Sequence, residues 1–354
     1  MTTINILCCY YVHGLDGSNK DFKRMKEKVE SLFSSIFTND DSQNKKVINV
    51  HYGYCSNDNA FWKTHYHFDT LADKSFNELT RFMEEQALAS FQKDYEEKYQ
   101  KLEGDIQCNL YFSLIGHSLG GLISRDVTYR IFTPYEKDNV TYDSYFDYLK
   151  QKKFTFISAI KPCTFMTLSS PHLGSLALNE SGGIIKTGEK TAVRMYCNWL
   201  SGSIGKLFTY KDAKPGQKPS LIRLSQNEYM ECYGRFPNRT IVGCVRFDIP
   251  VKFCSAMGDI HHPVNEYAAE NILVEDDTRI CSFAGYEGAD LEYYKKEIFN
   301  ETVSKNMYYP DTKHLPSPDI DEEIRVGLEK IKKTVEDGQK YGKYRYIYIY
   351  KKYK

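Results

Sequence analysis

The chain has 354 residues, enough for one large α/β domain with insertions or for two ordinary domains. Its 47 basic and 47 acidic residues cancel, so nothing in the balance points to the positive field of a nucleic-acid-binding surface. No apolar run approaches the ~20 residues that span a bilayer, and Met1-Thr2-Thr3-Ile4-Asn5 lacks the basic region and cleavage site of a secretory signal. Six of the ten cysteines, Cys8, Cys9, Cys108, Cys163, Cys254 and Cys281, fall in apolar, strand-like stretches. That is the distribution of buried free thiols in a reducing compartment rather than of a disulfide framework. The expected location is the cytoplasm, at most peripheral to membranes or lipid droplets.

In chain order, Ile4 to Val12 reads as a strand and runs directly into His13-Gly14-Leu15-Asp16-Gly17. A glycine just after a buried strand lets backbone approach another group closely, so the loop can aim an N–H at an oxyanion; a plain tight turn would have the same composition. Asp21 to Phe37 reads as a helix and Val47 to Tyr52 as a second strand. Apolar residues at helical spacing from Phe76 through Leu79, Met83, Ala87, Phe91, Tyr95, Tyr99 and Leu102 predict a long helix that Gly104 stops.

Leu110 to Ile115 is a near-continuous apolar strand leading into Gly116-His117-Ser118-Leu119-Gly120-Gly121. Leu119, Leu122, Ile123, Val127 and Ile131 then recur at three and four, so a helix with one apolar face follows. Gly-x-Ser-x-Gly thus stands in a strand-turn-helix setting. The sharp turn puts the serine in strained backbone angles, side chains at Gly116 and Gly120 would collide with neighbouring backbone, and the Ser118 hydroxyl is left at a helix N-terminus that favours developing negative charge.

Cys163 to Leu168 is the next strand, ending in Ser169-Ser170-Pro171-His172-Leu173-Gly174. Residues 175–237 are too long for an ordinary loop and read as an insertion, either a lid and substrate-binding cap or a structural excursion with its own small core. Trp199 and Leu200, with Ile184, Ile185, Ile204, Leu207 and Phe208, are the candidate lining for an acyl chain, and Gly182, Gly183, Gly202 and Gly205 the candidate hinges. Thr240–Phe247, Pro250–Ala256 and Thr278–Phe283 read as later strands. Residues 341–354, rich in Tyr and Lys, read as an edge strand protected by lysine, with a basic-aromatic surface for anionic lipid as the alternative. No repeat or flexible linker divides the chain, so a single domain over 1–354 with one insertion is expected.

His13-Gly14, Gly116-His117-Ser118-Leu119-Gly120-Gly121 and Ser170-Pro171-His172-Leu173-Gly174, in that order after successive strands, resemble the α/β-hydrolase lipases, closest to their "putative serine esterase" (lipase-like) branch. The resemblance implies an α/β-hydrolase fold, a mostly parallel central sheet flanked by helices. It implies a triad in the order Ser, Asp, His, and oxyanion donors from the residues after His-Gly and after the serine, which are the backbone N–H groups of Leu15 and Leu119. His13, Gly14, Gly116, His117, Gly120, Gly121, Pro171, His172 and Gly174 would support them.

The strand-like stretch from Pro250 closes on Gly258-Asp259, which puts that carboxylate at the carboxyl edge of the sheet; capping the following helix is its other reading, and Asp276 and Asp277 are rivals. For the base, histidines that precede the acid go against the triad order and His261 and His262 lie too near it. His314 remains, ahead of a helix that opens at Ser317-Pro318; an ordinary surface histidine is the alternative. The expected chemistry is hydrolysis of a carboxylic, lipid-type ester through an acyl-enzyme, with Ser118 as nucleophile, His314 as base and Asp259 orienting it. A thioesterase would use the same groups, and a non-catalytic lipid- or protein-binding module would need none of them. No metal or cofactor is expected, since His65-Tyr66-His67 and His261-His262 lack ligand spacing. The expected partners are a small-molecule or lipid ester and, at most, a lipid surface; oligomeric state is not legible.

Overall fold

The computed structural model describes residues 2–37, 46–102, 104–174, 202–246, 251, 255–256, 280–284 and 343–350. They fall into two compact units. One holds the described residues up to Phe165 and Leu224–Asn238; the other holds those of 166–223, 239–284 and 343–350.

The first unit is built on β1 (Thr2–Val12), an apolar strand with every residue except Thr3 buried. It pairs in parallel with β2 (Lys46–Cys55) on one side and β3 (Ile106–His117) on the other. With β6 (Ile157–Leu168), which begins in this unit, the strand order is β2-β1-β3-β6. Parallel neighbours need helical crossovers, and the chain supplies them. α1 (Lys23–Ile36) leads from β1 to β2. α2 (Phe68–Arg81) continues through the wider turns Phe82–Ala87, α3 (Leu88–Asp94) and Tyr95–Tyr99 toward β3. The long helix is as the spacing predicts, but it starts a full two turns earlier than Phe76.

α4 (Leu119–Phe132) follows β3 and is buried over most of its circumference, including Leu119, Gly120, Gly121, Leu122, Ile123, Ser124, Val127 and Ile131. A small hairpin, β4 (Tyr135–Lys137) and β5 (Val140–Tyr142), and α5 (Tyr145–Tyr148) come next. Phe112 on β3 meets Phe146 and Phe236 at ring-centroid distances of 5.6 and 6.3 Å, and these rings are buried. Such contacts add to the large area each aromatic removes from water. A parallel sheet flanked by helices, with the serine turn between β3 and α4, is the α/β-hydrolase fold class that the motifs imply.

In the second unit, α6 (Gly202–Phe208) and most of α7 (Ser220–Leu224) belong to the insertion, whose end forms α8 (Asn227–Gly234) in the first unit. Ile204, Leu207 and Phe208 of α6 are buried. β7 (Asn238–Arg246), β8 (Ile280–Ala284) and β9 (Lys343–Tyr350) run in the order β7-β9-β8, with β8 and β9 antiparallel. β9 carries the Tyr/Lys-rich segment and has a strand on either side, where an edge strand or tail was expected. The strand expected over Pro250–Ala256 lies mostly outside the described residues; within it, Ser255 and Ala256 have helical backbone. The helices expected after Asn265, Leu291 and Ser317 lie outside the described residues altogether. Cys8, Cys9, Cys108, Cys163 and Cys232 are free and buried, and burial pushes the Cys9 and Cys163 thiols up to about 12, so they are inert as nucleophiles. Among the described residues no helix is long and apolar enough to cross a membrane.

Candidate active site

The register of the sheet positions the site. Val12 is paired with Gly116, so His13-Gly14 and His117-Ser118 leave adjacent strands side by side at their carboxyl ends, where α/β sites lie. Ser118 has φ 52° and ψ −125°. That is a sparsely populated region, entered by an L side chain at a cost of about 1–3 kcal/mol. It is the strained turn of a nucleophile elbow, and it leaves Ser118 half-buried at the start of α4. The Ser118 carbonyl accepts the Gly121 N–H at 3.0 Å. The first N–H groups of the helix, beginning with that of Leu119, have no partner earlier in the helix and point toward the turn.

Glycine is needed where the backbones converge. A Cβ on Gly120 would lie 2.1 Å from the Val12 carbonyl oxygen and 2.5 Å from that of His13. One on Gly14 would lie 2.8 Å from Ser118 Cβ and 3.1 Å from the His117 carbonyl oxygen. Gly116 is pressed equally tightly against Gly121. The His13-Gly14 loop therefore rests directly on the serine, and Leu15 is the next residue along it.

A second tier braces that loop. The buried His13 ring lies with Nδ1 3.0 Å from the Gly14 carbonyl oxygen, and burial holds its pKa below the ordinary histidine value. The His13 N–H donates to Ser56 Oγ at 3.4 Å, and the Ser56 N–H donates to the Tyr11 carbonyl at 2.8 Å. The Asp16 N–H donates to Thr64 Oγ1 at 2.9 Å, and the Phe61 N–H donates to the Gly17 carbonyl at 2.8 Å. The loop after β2 thus fastens to the loop after β1. Its own anchor is Glu78 of α2, whose side chain is 1% exposed. The carboxylate accepts the Asn57 and Asp58 N–H groups at 2.7 and 3.2 Å and the Tyr54 and Tyr10 hydroxyls at 3.0 and 3.3 Å. Burial raises its pKa despite these donors.

In the second unit, the Ser-Pro-His-Leu-Gly loop is held by its own network. The His172 N–H donates to the carbonyls of Ser170 and Ser255, and His172 Nε2 lies 3.1 Å from Thr167 Oγ1. Pro171 accepts the Gly174 N–H at 2.9 Å, and Gly174 has φ +75°. Buried Ser255 donates to the Gly174 carbonyl and accepts the Leu173 N–H at 3.2 Å, while Tyr210 donates to the Leu173 carbonyl at 2.7 Å.

Ser118, His13, Gly14, Leu15, Gly116, His117, Leu119, Gly120 and Gly121 are therefore brought together in the first unit. Asp259 and His314 lie outside the described residues, as do Trp199 and Leu200. Sequence reasoning missed Ser56, Thr64 and Glu78. The only signal for Glu78 is its place among Leu71, Ala72, Ser75 and Leu79 on the buried face of α2. No cluster of His, Cys, Asp and Glu suited to a metal occurs among the described residues.

The sequence profile of the family described as "Putative serine esterase (DUF676)" matches residues 7–259, from β1 through the elbow to the candidate acid. The chain belongs to this family. The curated Saccharomyces cerevisiae protein named "Putative lipase" is 31% identical over 130 residues, 36% of this chain and 16% of that protein. The match thus spans about a sixth of the yeast protein's length. Among solved structures, the RedJ thioesterase of the prodiginine pathway in Streptomyces coelicolor aligns at 13% identity and a TM-score of 0.27, covering 71% of each chain. An alpha/beta hydrolase superfamily protein from Enterococcus faecalis aligns at 15% and 0.29, covering 71% of this chain and 75% of the other. At these scores the likeness is loose. The serine esterase assignment rests on the family match, the strand order and the elbow.

Proposed function

We propose that this serine esterase family member hydrolyses carboxylic esters of lipid type through an acyl-enzyme on Ser118. The observation that carries the proposal is the left-handed Ser118 held between Gly14 and the start of α4: the fold bears a strained backbone there that only a presented hydroxyl turns to use. In the mechanism, His314, oriented by Asp259, takes the hydroxyl proton as Oγ attacks the ester carbonyl. The Leu15 and Leu119 N–H groups hold the tetrahedral oxyanion, the protonated imidazole returns its proton to the leaving alcohol, and water releases the acyl group by the same route. Preformed donors of this kind are worth about 2.7–4 kcal/mol each to the transition state.

The test is hydrolysis of p-nitrophenyl butyrate together with labelling by a fluorophosphonate. Ser118→Ala is expected to abolish both while the circular-dichroism spectrum and melting temperature hold. Asp259→Asn and His314→Ala should each cost several orders of magnitude in kcat and add little to the loss in Ser118→Ala, because triad members act as a unit. Activity should also fall on acidification, as a protonated imidazole cannot accept the serine proton. Wild-type turnover in Ser118→Ala overturns the proposal. Folded wild-type protein that neither turns over esters nor reacts with the probe identifies a binding module instead.

A further inference from the structure

The turn at Phe61–His65 displays the largest exposed aromatics among the described residues. Phe61 is 56% exposed, Trp62 65% and Tyr66 36%. Folding does not explain their placement, since apolar rings are ordinarily drawn inward. Phe61 holds φ +55°, an outlier for a bulky side chain. The strain is maintained from beneath: the Phe61 N–H donates to the Gly17 carbonyl, and Thr64 Oγ1 bridges the Phe61 carbonyl at 2.8 Å and the Asp16 N–H at 2.9 Å. His65 Nε2 lies 2.7 Å from Asp16 Oδ1. The rings are thus fastened to the loop that rests on Ser118, with no flexible segment in between.

The display has the chemistry of a water–lipid boundary. Trp62 packs edge-on against Tyr66 with centroids 5.8 Å apart, and both carry a polar atom on an apolar body, the combination enriched at bilayer interfaces. Lys74 Nζ stands 4.2 Å over the Tyr66 ring. A long amine beside an interfacial aromatic can place its charge among headgroups. Lys63 and Lys74 are balanced by Asp58, Asp69 and Asp73 nearby in sequence and by Asp16 against His65, so the turn has no basic excess, which favours a zwitterionic surface over an anionic one. Its size points away from a protein partner. Three aromatics of about 150–250 Å² each, half exposed, offer on the order of 300 Å², well below the ~800 Å² per partner of a stable protein interface. Shallow insertion of a protruding turn needs no such area.

We propose that the Phe61–Tyr66 turn is an interfacial anchor that inserts into the surface of aggregated zwitterionic lipid and brings the serine to that surface. This rests on the ester-hydrolase proposal for its purpose but not for its measurement. The experiment floats full-length protein with phosphatidylcholine vesicles and separately measures turnover of an emulsified long-chain ester and of soluble p-nitrophenyl butyrate. It compares wild type with Trp62→Ser combined with Tyr66→Ser, which removes the paired rings and leaves the braced Phe61 and Thr64 in place. The expected result is vesicle binding by wild type that falls by about tenfold or more in the variant, a factor equivalent to about 1.4 kcal/mol, with an equal loss on emulsion and unchanged turnover of the soluble ester. Vesicle binding that depends on the two rings in a protein inactive on every ester sinks the hydrolase proposal and leaves the anchor standing. The anchor is overturned by no binding by wild type, by binding indifferent to the substitutions, or by equal loss on both esters, which makes the turn a structural brace. Self-association that the substitutions abolish also overturns it, by naming a second copy as the occupant.

Discussion

Gly14→Ala isolates the contact between the loop and Ser118, the proposed nucleophile. The added Cβ would stand 2.8 Å from Ser118 Cβ, with the His117 carbonyl oxygen at 3.1 Å and His117 Nδ1 at 3.2 Å. Ordinary contact begins at 3.4 Å, so the loop and the serine must separate by roughly 0.6 Å, in a reaction where a 1 Å misplacement can cost about 10²-fold. The serine turn is fixed by Gly120 against two carbonyls and cannot yield easily. The loop yields instead, carrying the Leu15 N–H away from the oxyanion. The expected loss is about ten- to a hundredfold in kcat for p-nitrophenyl butyrate with little change in KM, and an equal slowing of fluorophosphonate labelling. Overpacking at a tight contact costs roughly 1–3 kcal/mol, a drop in melting temperature of about 2–4 °C per kcal/mol. Assays at 20 °C would separate that loss from the catalytic one. Gly234→Ala is the control: nothing lies within 4 Å of its Cβ, so it should be neutral or stabilise by up to about 1 kcal/mol with normal kcat. Wild-type kcat and labelling rate in Gly14→Ala would refute the assignment of this loop to the oxyanion.

Two further predictions concern the scaffold. Glu78→Ala strips the acceptor from two backbone N–H groups and two tyrosine hydroxyls and should cost about 3 kcal/mol or more by urea unfolding, since each unsatisfied buried group costs ~1–3 kcal/mol. Because burial raises the folded Glu78 pKa, its protonation favours the folded state. That contribution is complete below the ordinary glutamate value and is lost as pH rises through the folded pKa, so the stability of Glu78→Gln relative to wild type should improve on going from acid to neutral pH. His51 has the opposite sign. Burial lowers its pKa to about 4 from 6.5, so its neutral form supports the fold above pH 6.5 and that support is lost as pH falls toward 4. His51→Leu, which keeps an apolar contact to Phe33, should flatten the stability profile across that window; an unchanged slope would exclude His51 as its source.

The sheet and elbow were legible because their signals are local. An apolar strand, a glycine-rich turn and a period of three to four residues together identify β3, Ser118 and α4 without knowledge of anything distant. The braces were not legible, because Ser56, Thr64 and Glu78 become functional only when the loops after β1 and β2 meet, and pairing between those strands has no sequence signature finer than their hydrophobicity. Likewise, nothing in the local sequence marks Phe61 and Trp62 for display, and only their exposure in the fold separates them from the buried aromatics. The β9 segment erred in the opposite direction. Alternating tyrosines with terminal lysines suit an edge, yet a strand with a neighbour on either side is compatible with the same alternation.

The backbone at Ser118 has an evolutionary consequence. Glycine would occupy φ 52° there at no steric cost, so a chain selected for stability alone would drift toward glycine at this position. This chain has serine instead, and the fold bears the penalty continuously, whether or not a substrate is bound. If Ser118 is the nucleophile proposed above, the elbow is a standing trade of stability for reactivity, and a substitution that relaxes it should be sought among stabilised but silent descendants of this chain.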